Sequence, residues 1–505
     1  MPAQTLMIQG TASSVGKSIL VTALCRILRQ DGYSVAPFKA QNMSLNSFVT
    51  REGGEIGRAQ AVQAEAAGIE PSVDMNPVLL KPEADARSQL IIQGKLAKSL
   101  SANQYYNETP YLLKIVEDSL NRLRAVYDVV IIEGAGSPAE INLKAREIVN
   151  MRVARMAGAP VLLVGDIDRG GVLASLVGTL ELLDESERNH IKGFIINKFR
   201  GDLKLLQPGL DFLEQRTSKP VLGVVPYFRD IPIAQEDSVY LDERQEKPLS
   251  ADLDVVVIRL PHISNYDDFD PLEEEGCRVR YVVSPVELGT PDLIILPGTK
   301  STISDLAYLR QSGLAENILH QAKQGRPVVG ICGGYQMLGK TLHDPEGVES
   351  ALGSTPGLGL LDVVTTFIAE KTTTQVKACV VADWGLLGGM QGQEVAGYEI
   401  HMGQTRNYGN EAAFRILATP EGAVDYYDGA LNAQGTVLGT YLHGLFHNPG
   451  FLRVLLNSLR RHRGLPERWG GVADKEMQYD RLAELVRHSL DIAAVYNIMK
   501  QGMAD

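Results

Sequence analysis

Pro327-Val-Val-Gly-Ile-Cys-Gly-Gly-Tyr-Gln336 is the motif around which the second half of the chain is organised. A short apolar run ends in Gly-x-Cys-x-Gly and a helical pattern follows, which is the sequence of a nucleophile elbow. Such a turn is crowded, so it needs small residues at Gly330 and Gly334. The turn places Cys332 near the N-terminus of the next helix, which favours a thiolate, and the thiolate is the nucleophile. We predict that Cys332 is catalytic rather than structural, and that the backbone N–H of Gly333 helps to hold an oxyanion.

A cysteine nucleophile needs a base and a full set of oxyanion donors. The candidate bases that follow the elbow are His343, His401, His443 and His447. An apolar strand pattern ends directly before His443 and a turn follows, so His443 is the predicted base and His401 is its rival. The loop after the strand predicted at 292–296 can supply a second oxyanion N–H, from Gly298 or Thr299.

A second motif lies near the N-terminus. A buried strand pattern, Thr5–Gln9, leads into Gly10-Thr-Ala-Ser-Ser-Val-Gly-Lys-Ser18, and a helical pattern follows. Strand, glycine-rich loop and helix together predict a phosphate-binding loop, in which Lys17 reaches the β/γ oxygens and Ser18 can bind Mg²⁺. Five residues, rather than the standard four, separate Gly10 from Gly16. The residues predicted to bind the nucleotide here are Gly10, Thr11, Val15, Gly16, Lys17 and Ser18.

Two other strand ends carry candidate ligands for this site. Glu133 follows the strand predicted at 127–132 and precedes a glycine-rich turn, so we predict that it binds Mg²⁺ beside the phosphate loop rather than serving only as a solvated acid. Asn197 ends the strand predicted at 193–197 and is a candidate reader of the adenine edge, although it equally suits a turn.

Strands alternate with helices through both halves, which predicts an α/β protein with two parallel-sheet domains. We predict a nucleotide-binding domain at residues 1–235, a polar linker at 236–250 and a thiol-enzyme domain at 251–448. Residues 449–505 are predicted to form a helical C-terminal segment without chemistry of its own.

The composition excludes several classes of protein. The net charge of −12 argues against nucleic acid as a partner. No apolar run is long enough to span a membrane, and the N-terminus carries no signal-peptide pattern. The cysteines are dispersed without metal-ligand spacing, so a cytoplasmic location is expected. They are Cys25, Cys277, Cys332 and Cys379.

The motifs in both halves together resemble one family. The phosphate loop is similar to the variant of dethiobiotin synthetase and its relatives. The complete set, in this order, resembles the cobyric acid synthases, which are amidotransferases of the cobalamin pathway. The motifs that carry the resemblance are Phe38-Lys-Ala-Gln-Asn-Met-Ser-Leu-Asn-Ser47, Glu133-Gly-Ala-Gly-Ser-Pro138, Asp166-Ile-Asp-Arg-Gly-Gly171, Asn197-Lys-Phe-Arg-Gly-Asp202, Leu296-Pro-Gly-Thr-Lys-Ser-Thr302, Gly330-Ile-Cys-Gly-Gly-Tyr-Gln336, Gly397-Tyr-Glu-Ile-His-Met-Gly403 and Tyr441-Leu-His-Gly444.

The resemblance implies a dethiobiotin-synthetase-like domain joined to a class I glutamine amidotransferase domain. It implies ATP, Mg²⁺, glutamine and a corrinoid as ligands, with no tightly bound organic cofactor. The implied reaction is amidation of adenosylcobyrinic acid a,c-diamide at its b, d, e and g carboxylates. Two alternatives stay open: a cobyrinic acid a,c-diamide synthase, which performs the same chemistry on an earlier substrate, and a partitioning-type ATPase.

Two positions depart from related patterns. Class I amidotransferases usually carry a glutamate two residues after the catalytic histidine, but Leu445 stands there in this chain. We therefore expect another group, such as Glu399 or a backbone carbonyl, to orient His443. We also expect slow hydrolysis of glutamine in the resting enzyme, and its stimulation when ATP and the corrinoid order the domain interface. The loop after the second strand carries Gln41, Asn42 and Asn46 where a,c-diamide synthases have acids, so no Mg²⁺ ligand is predicted from it.

Overall fold

The computed structural model of the chain describes residues 3–83, 87–228, 231, 251–409, 411–469 and 475–503. The linker predicted at 236–250 lies outside these residues, and so does the predicted domain boundary at residue 235. Throughout the described part of the chain, no helix combines the length and the apolar character that crossing a membrane requires.

The first half of the chain forms a sheet of six parallel strands. Its strands are nearly continuous runs of Val, Ile and Leu, because a parallel sheet is covered on both faces. Met7 faces one buried core, whereas Leu6 and Ile8 face the other. In spatial order the strands are Val221–Pro226, Ile191–Phe199, Val161–Asp166, Gln4–Gly10, Val129–Glu133 and Val35–Phe38.

Strand Gln4–Gly10 lies between Val161–Asp166 and Val129–Glu133, so the carboxyl ends of these three strands meet at one edge of the sheet. Ligands of open α/β sheets bind at such an edge. The helices of this half are Lys17–Gln30, Arg58–Ala67, Ala102–Asn107, Thr109–Val126, Met151–Ala157, Val172–Leu182, Glu185–His190 and Leu203–Thr217, with a 3₁₀ turn at Val73–Met75.

Short strands occupy the polar segments that follow the second parallel strand. Ser47–Val49 and Glu55–Gly57 form a hairpin. Strand Val78–Pro82 pairs with Gln41–Met43, so a ladder of hydrogen bonds fixes the backbone of this segment. The four strands of this small sheet are Gln41–Met43, Val78–Pro82, Arg87–Ile92 and Lys95–Ser101.

The second half contains another parallel sheet, with one antiparallel strand at its edge. Its strands, in spatial order, are Arg278–Val282, Asp254–Ile258, Leu293–Leu296, Val328–Ile331, Val437–Thr440 and Ala430–Leu431. The helices and 3₁₀ turns of this half are Tyr266–Phe269, Asp270–Glu274, Pro285–Leu288, Thr302–Gln311, Leu314–Lys323, Gly333–Leu338, Gly385–Leu387, Leu445–His447 and Pro449–His462. Both halves are therefore α/β domains with parallel sheets, as the alternation of patterns predicted.

An additional sheet, mostly antiparallel, is inserted between the elbow helix and strand Val437–Thr440. It was not predicted, because the predicted strands are continuous apolar runs, whereas its two longest strands mix apolar, polar and charged residues. Its strands are Thr341–His343, Ser354–Pro356, Val363–Val380, Glu394–Asn407, Phe414–Thr419 and Gly422–Asp428.

The helices of the C-terminal segment pack on different domains. Pro449–His462 buries Phe451 in the core of the second domain. Lys475–Ser489 and Ile492–Gln501 instead bury apolar side chains in the core of the first domain. Arg26 of the first domain pairs with Glu476 and Asp480. The segment predicted as one unit at 449–505 is thus divided between the two domains, because each helix follows the apolar surface that it can cover.

The hairpin of the first domain docks directly on the second domain. Asn265 Oδ1 accepts the backbone N–H of Ser47 at 3.1 Å, and Asn46 Oδ1 accepts that of Tyr266 at 3.2 Å. The hydroxyl of Tyr398 donates to the carbonyl of Ser47 at 3.3 Å. Val49 packs in one small buried cluster with Tyr398. These contacts fix the turn at 265–269 against the first domain.

Candidate active site

The phosphate loop has the tight geometry that its glycines indicated. Gly16 has φ 96°, a left-handed conformation that favours glycine. A Cβ atom built at Gly16 would lie 2.1 Å from Nδ2 of Asn197, so no larger side chain fits. Lys17 Nζ donates to the carbonyl of Ala12 at 2.9 Å and to that of Gly136 at 3.3 Å. Its ammonium group therefore lies inside the curve of the loop, where a phosphate would bind.

Loop residues at either end support this conformation. Gly10 leaves no room for a side chain, because an added Cβ would lie 2.5 Å from Cγ2 of Val15. The backbone N–H of Thr11 donates to the carbonyl of Val164 at 2.9 Å and continues the strand pairing into the loop. The loop is thus anchored to the sheet at the edge where ligands are expected.

Asn197 contacts the phosphate loop. Its side-chain Nδ2 donates to the carbonyl of Val15 at 2.8 Å and lies against Gly16. The next residue, Lys198, donates to the carbonyl of Ser14 at 2.8 Å. Asn197 therefore braces the loop through its amide nitrogen, and recognition of adenine by this residue stays a prediction.

Glu133 is buried beside the phosphate loop and accepts hydrogen bonds from three side chains. Ser18 Oγ and Lys39 Nζ donate to its Oε1 at 2.8 and 2.9 Å. Gln63 Nε2 donates to its Oε2 at 2.5 Å. Burial raises the pKa of Glu133, but the charge of Lys39 and these hydrogen bonds outweigh burial and lower it. Glu133 is thus an ionised acid in the folded chain.

The donor set here fits Mg²⁺. Ser18 and Glu133, the two predicted ligands, are in hydrogen-bond contact. Gln63 Oε1 is buried and accepts no hydrogen bond from the residues that the structure describes. Hydroxyl, carboxylate and amide oxygens are the ligands that Mg²⁺ prefers, although Lys39 shares the carboxylate. Among the described residues, no group of three or more His, Cys, Asp or Glu side chains is arranged to hold a metal ion.

The elbow at Cys332 is strained, as its sequence suggested. Cys332 has φ 51° and ψ −108°, although it is not a glycine. A Cβ atom at Gly334 would lie 1.9 Å from the carbonyl oxygen of Leu296, and one at Gly330 would lie 2.8 Å from the carbonyl carbon of Gly334. Such backbone strain costs on the order of 1–3 kcal/mol and persists only where packing enforces it. The turn holds the Cys332 side chain, which is 7% exposed, at the edge of the sheet.

His443 lies beside Cys332 and is oriented by an acid. Its Nδ1 is 2.6 Å from Oδ2 of Asp268, whose Oδ1 accepts the backbone N–H of Gly444 at 2.8 Å. Its ring stacks on Tyr398, with centroids 5.2 Å apart. Because Nδ1 is taken by Asp268, the other ring nitrogen is the one that can hydrogen-bond the thiol. Cys332, His443 and Asp268 thus form a nucleophile–base–acid arrangement.

The charge of His443 follows from these contacts. Burial, the largest influence, lowers the pKa of His443, but the charge and hydrogen bond of Asp268 and a hydrogen bond with Cys332 raise it to about 10. The ring is therefore protonated at neutral pH. An imidazolium beside a thiol favours the thiolate and can deliver a proton to a leaving group.

The expectation that Glu399 orients His443 is wrong. Glu399 Oε2 instead accepts a hydrogen bond from the hydroxyl of Tyr426 at 2.7 Å. Burial, followed by the charge of Asp428, raises the pKa of Glu399 to about 7. The sequence interpretation missed Asp268, which lies 175 positions before His443. The one available signal was an acidic cluster, Asp267-Asp268-Phe269-Asp270, shortly after the first strand of the domain.

The other candidate histidines have different partners. His401 Nδ1 lies 3.0 Å from the carbonyl of Gly403, and its ring stacks on Tyr441. Burial lowers the pKa of His401 to about 4, so this ring is neutral. Burial also lowers the pKa of His447. His343 Nδ1 lies 3.2 Å from the hydroxyl of Ser354.

The predicted oxyanion donors lie on two facing segments. A Cβ atom at Gly298 would lie 3.0 Å from Cε1 of His443. One at Gly333 would lie 2.6 Å from Cγ2 of Thr299 and 3.1 Å from its backbone nitrogen. The loop after strand Leu293–Leu296 therefore lies directly against the elbow. The role of Gly333 and of Gly298 or Thr299 as oxyanion donors stays a prediction.

A cavity between the two domains opens onto the thiol. Most of its lining comes from the second domain, but Lys81 and Gln89 come from the first. Glu55 holds Lys81 at 2.7 Å and also pairs with Lys371 of the second domain. Burial, the largest influence, lowers the pKa of Lys81 to about 8. The lining residues are Lys81, Gln89, Ser264, Asn265, Thr299, Lys300, Thr302, Cys332, Gln336, Glu349, Lys371, Ile400, His401, Met402 and His443.

One helix contacts the surroundings of both sites. Helix Arg58–Ala67 carries Gln63, which binds Glu133 beside the phosphate loop. At its first residue, Arg58 lies 2.9 Å from Oδ2 of Asp267, the neighbour of Asp268. Both Arg58 and Asp267 are buried. Asp268, which orients His443, is therefore the sequence neighbour of Asp267, which pairs with Arg58 of the nucleotide-binding domain.

Comparison with known proteins finds one matching family model in each half of the chain. Residues 6–239 match the family model described as the CobQ/CobB/MinD/ParA nucleotide binding domain. Residues 254–451 match the CobB/CobQ-like glutamine amidotransferase domain. The fold and the site thus define an enzyme in which a nucleotide-binding domain is joined to a glutamine amidotransferase domain.

Full-length relatives specify the family. A cobyric acid synthase of Dehalococcoides mccartyi strain CBDB1 is 61% identical over 501 residues, which cover 99% of this chain and 100% of the relative. One of Sorangium cellulosum is 55% identical over 515 residues, with 99% of each chain covered. The chain belongs to the cobyric acid synthase family, as the order of its motifs predicted.

Proposed function

We propose that this enzyme uses ATP and glutamine to amidate the b, d, e and g carboxylates of adenosylcobyrinic acid a,c-diamide, giving adenosylcobyric acid. The observation that carries the proposal is the cavity in which Cys332, His443 and side chains of the nucleotide-binding domain meet. The names of the full-length relatives support the choice of corrinoid substrate.

The first half-reaction takes place at Cys332. Its thiolate attacks the side-chain carbonyl carbon of glutamine, and backbone N–H groups of Gly333 and of Gly298 or Thr299 hold the oxyanion. The His443 imidazolium gives its proton to the departing amine, so ammonia leaves and a thioester remains. His443 then accepts a proton from water, which attacks the thioester and releases glutamate. Asp268 keeps the ring in the orientation that both proton transfers need.

The second half-reaction takes place at the phosphate loop. A carboxylate oxygen of the corrinoid attacks the γ-phosphorus of ATP, and the bond from that phosphorus to the β-phosphate oxygen breaks. ADP departs, and the corrinoid now carries an acyl phosphate. Lys17 lies where the transferring charge develops and stabilises it. Ser18 and Glu133, with Gln63 Oε1, would hold Mg²⁺, which when bound neutralises phosphate charge. Ammonia then attacks the acyl carbon and phosphate leaves, giving the amide.

The two half-reactions need a protected connection, because ammonia released into neutral water becomes ammonium and loses its nucleophilic lone pair. Ammonia formed at Cys332 emerges in a cavity that already contains Lys81 and Gln89 of the nucleotide-binding domain. We infer that ammonia passes across this interface rather than through bulk water.

The two alternatives are less well supported. A partitioning-type ATPase has no use for a cysteine elbow with an oriented histidine. A cobyrinic acid a,c-diamide synthase would use the same chemistry, but relatives 50–61% identical over nearly the whole chain carry the other name.

The experiment that tests the proposal is mass spectrometry of the corrinoid product formed with ATP and glutamine. Starting from the a,c-diamide, we expect the addition of four amides. Product only when cobyrinic acid itself is supplied, with two amides added, would favour the a,c-diamide synthase. Hydrolysis of ATP with no change in the corrinoid would favour an ATPase without synthetase activity.

A further inference from the structure

The cavity that contains Cys332 also contains a carboxylate that the mechanism above does not use. Glu349 lies in the loop between strands Thr341–His343 and Ser354–Pro356 and is half-buried. It lines the cavity together with Cys332 and Lys300. A carboxylate that faces the same space as a nucleophile can contact the substrate of that nucleophile.

The loop holds this carboxylate in a fixed place. The side chain of Asp344 accepts the backbone N–H groups of Val348, Glu349 and Ser350 at 2.7, 2.8 and 2.7 Å. These bonds close the loop around one acid. Glu349 therefore projects from a rigid turn, as a recognition residue must if it is to select a substrate.

The carboxylate of Glu349 accepts only long hydrogen bonds from the part of the protein that the structure describes. Its carboxylate accepts the backbone N–H of Ile303 at 3.3 Å and the hydroxyl of Thr302 at 3.4 Å, both longer than an ordinary hydrogen bond. Among the residues that the structure describes, no lysine, arginine or histidine forms an ion pair with it. Burial, the largest influence, raises the pKa of Glu349 to about 7, and the charge of Lys300 lowers it only in part. A bound cation would restore the charge balance.

Most other ionisable side chains of the cavity are either paired within the protein or neutral. Glu55 holds both Lys81 and Lys371, and His401 is neutral. Lys300 has a more distant partner, Glu83 at 3.4 Å. In addition to the groups around Cys332, the cavity thus presents one carboxylate, that of Glu349, and one ammonium group, that of Lys300.

We propose that Glu349 binds the α-ammonium group of glutamine and that Lys300 binds its α-carboxylate, while Cys332 attacks the side-chain amide. The inference rests on the proposed glutaminase function and adds the residues that select its substrate. Glutamine carries one positive and one negative group on its α-carbon. A cavity with one carboxylate and one ammonium group has the opposite charge for each of them. A simple amide that lacks these groups gains nothing from either residue.

The test compares Glu349→Gln with the wild-type full-length enzyme on two amides, at saturating ATP and corrinoid. One is glutamine, and the other is glutaramate, which is glutamine without its α-ammonium group. We expect kcat/KM for glutamine to fall about 10- to 100-fold, the effect of losing one charge-assisted hydrogen bond. The kcat/KM for glutaramate should stay the same, so that the mutant no longer distinguishes the two amides.

Glu346→Gln is the matched control, because Glu346 is exposed on the same loop. In Glu346→Gln, kcat/KM for both amides should equal the wild-type value. Ammonium-dependent amidation should be equal in the wild type, Glu349→Gln and Glu346→Gln. The mirror experiment uses Lys300→Met and 4-aminobutanamide, which is glutamine without its α-carboxylate. Lys300→Met should lower kcat/KM for glutamine but not for 4-aminobutanamide.

An equal loss on glutamine and glutaramate in Glu349→Gln would mean that Glu349 only supports the elbow, and it would overturn the assignment. An unchanged rate with glutamine would overturn it as well. A wild-type enzyme that hydrolyses no glutamine under any condition would instead refute the proposed function on which the inference rests.

Discussion

The phosphate loop and the thiol site are built at the same kind of place, the carboxyl edge of a parallel sheet, but from very different spans of sequence. The residues that shape the phosphate loop lie within 10–18, and their main supports come from adjacent strand ends. The thiol site joins Cys332 to His443 and to Asp268, which lies 175 positions before that histidine. A site made by one loop is visible as a motif, whereas a site made by several loops is visible only in part.

The largest effect is expected from removing the proposed nucleophile. Cys332→Ala should abolish glutamine-dependent amidation and leave ammonium-dependent amidation near the wild-type rate, because the phosphate loop lies in the other domain. Corrinoid amidation with each nitrogen source is the measurement. Cys379→Ala, which changes a cysteine that does not line the cavity, is the control. Loss of both activities in Cys332→Ala would mean that the two sites are not separable.

Lys17→Ala should produce the opposite pattern. It removes a charge aimed at the transferring phosphoryl group, so amidation should fall roughly 1,000-fold with either nitrogen source. Basal hydrolysis of glutamine at Cys332 should survive. Lys204→Ala, at an exposed lysine of the same domain, should leave both rates unchanged. Amidation at the wild-type rate in Lys17→Ala would contradict the assignment of the phosphate loop.

Asp268→Asn should weaken the thiol site without destroying it. The amide cannot stabilise an imidazolium, so we expect glutamine hydrolysis to fall roughly 100-fold while ammonium-dependent amidation is kept. Glu399→Gln is the informative companion, because Glu399 binds Tyr426 rather than His443. Its steady-state glutaminase rate should stay within about twofold of wild type. If Glu399→Gln has the larger effect, the assignment of Asp268 as the orienting acid is wrong.

A smaller effect is expected in the pH dependence of stability. Asp268 helps to raise the pKa of His443 from 6.5 to about 10, so the folded chain binds this proton more tightly than the unfolded chain. The resulting stabilisation is complete below about pH 6.5 and is lost as pH rises towards 10. Thermal unfolding midpoints should therefore fall less steeply over this range in Asp268→Asn than in wild type. Parallel curves for the two proteins would contradict the ion pair.

Much of the fold follows from the sequence. The apolar strands, the elbow at Cys332 and the phosphate loop at Lys17 are local patterns whose glycines have direct steric reasons. The antiparallel sheet was not predicted, since its strands Val363–Val380 and Glu394–Asn407 mix charged and apolar residues. The distribution of the last helices between two domains depends on tertiary packing, which periodicity does not encode.

The part of the site that sequence reasoning missed is the part that depends on folding across long distances. Leu445 occupies the place where a triad acid was sought, and no spacing rule points from there to Asp268. That residue is held near His443 by a 3₁₀ turn, Tyr266–Phe269, which docks on the first domain through Asn46. Slow glutamine hydrolysis was expected because an orienting acid was thought to be missing, but Asp268 orients His443. Contact between Arg58 and Asp267 now offers a structural reason to look for such coupling.

The proposed function requires that ammonia made at Cys332 crosses the domain interface and enters the corrinoid without mixing with solvent. It is tested most directly by supplying glutamine labelled with heavy nitrogen in its side-chain amide, together with ATP, the a,c-diamide and unlabelled ammonium salt. The ammonium concentration exceeds that of the glutamine but is too low to support ammonium-dependent amidation by itself. We expect the new amides of the product to carry the label, one for each glutamine hydrolysed. Product amides that carry mainly unlabelled nitrogen while labelled ammonia accumulates in solution would contradict it.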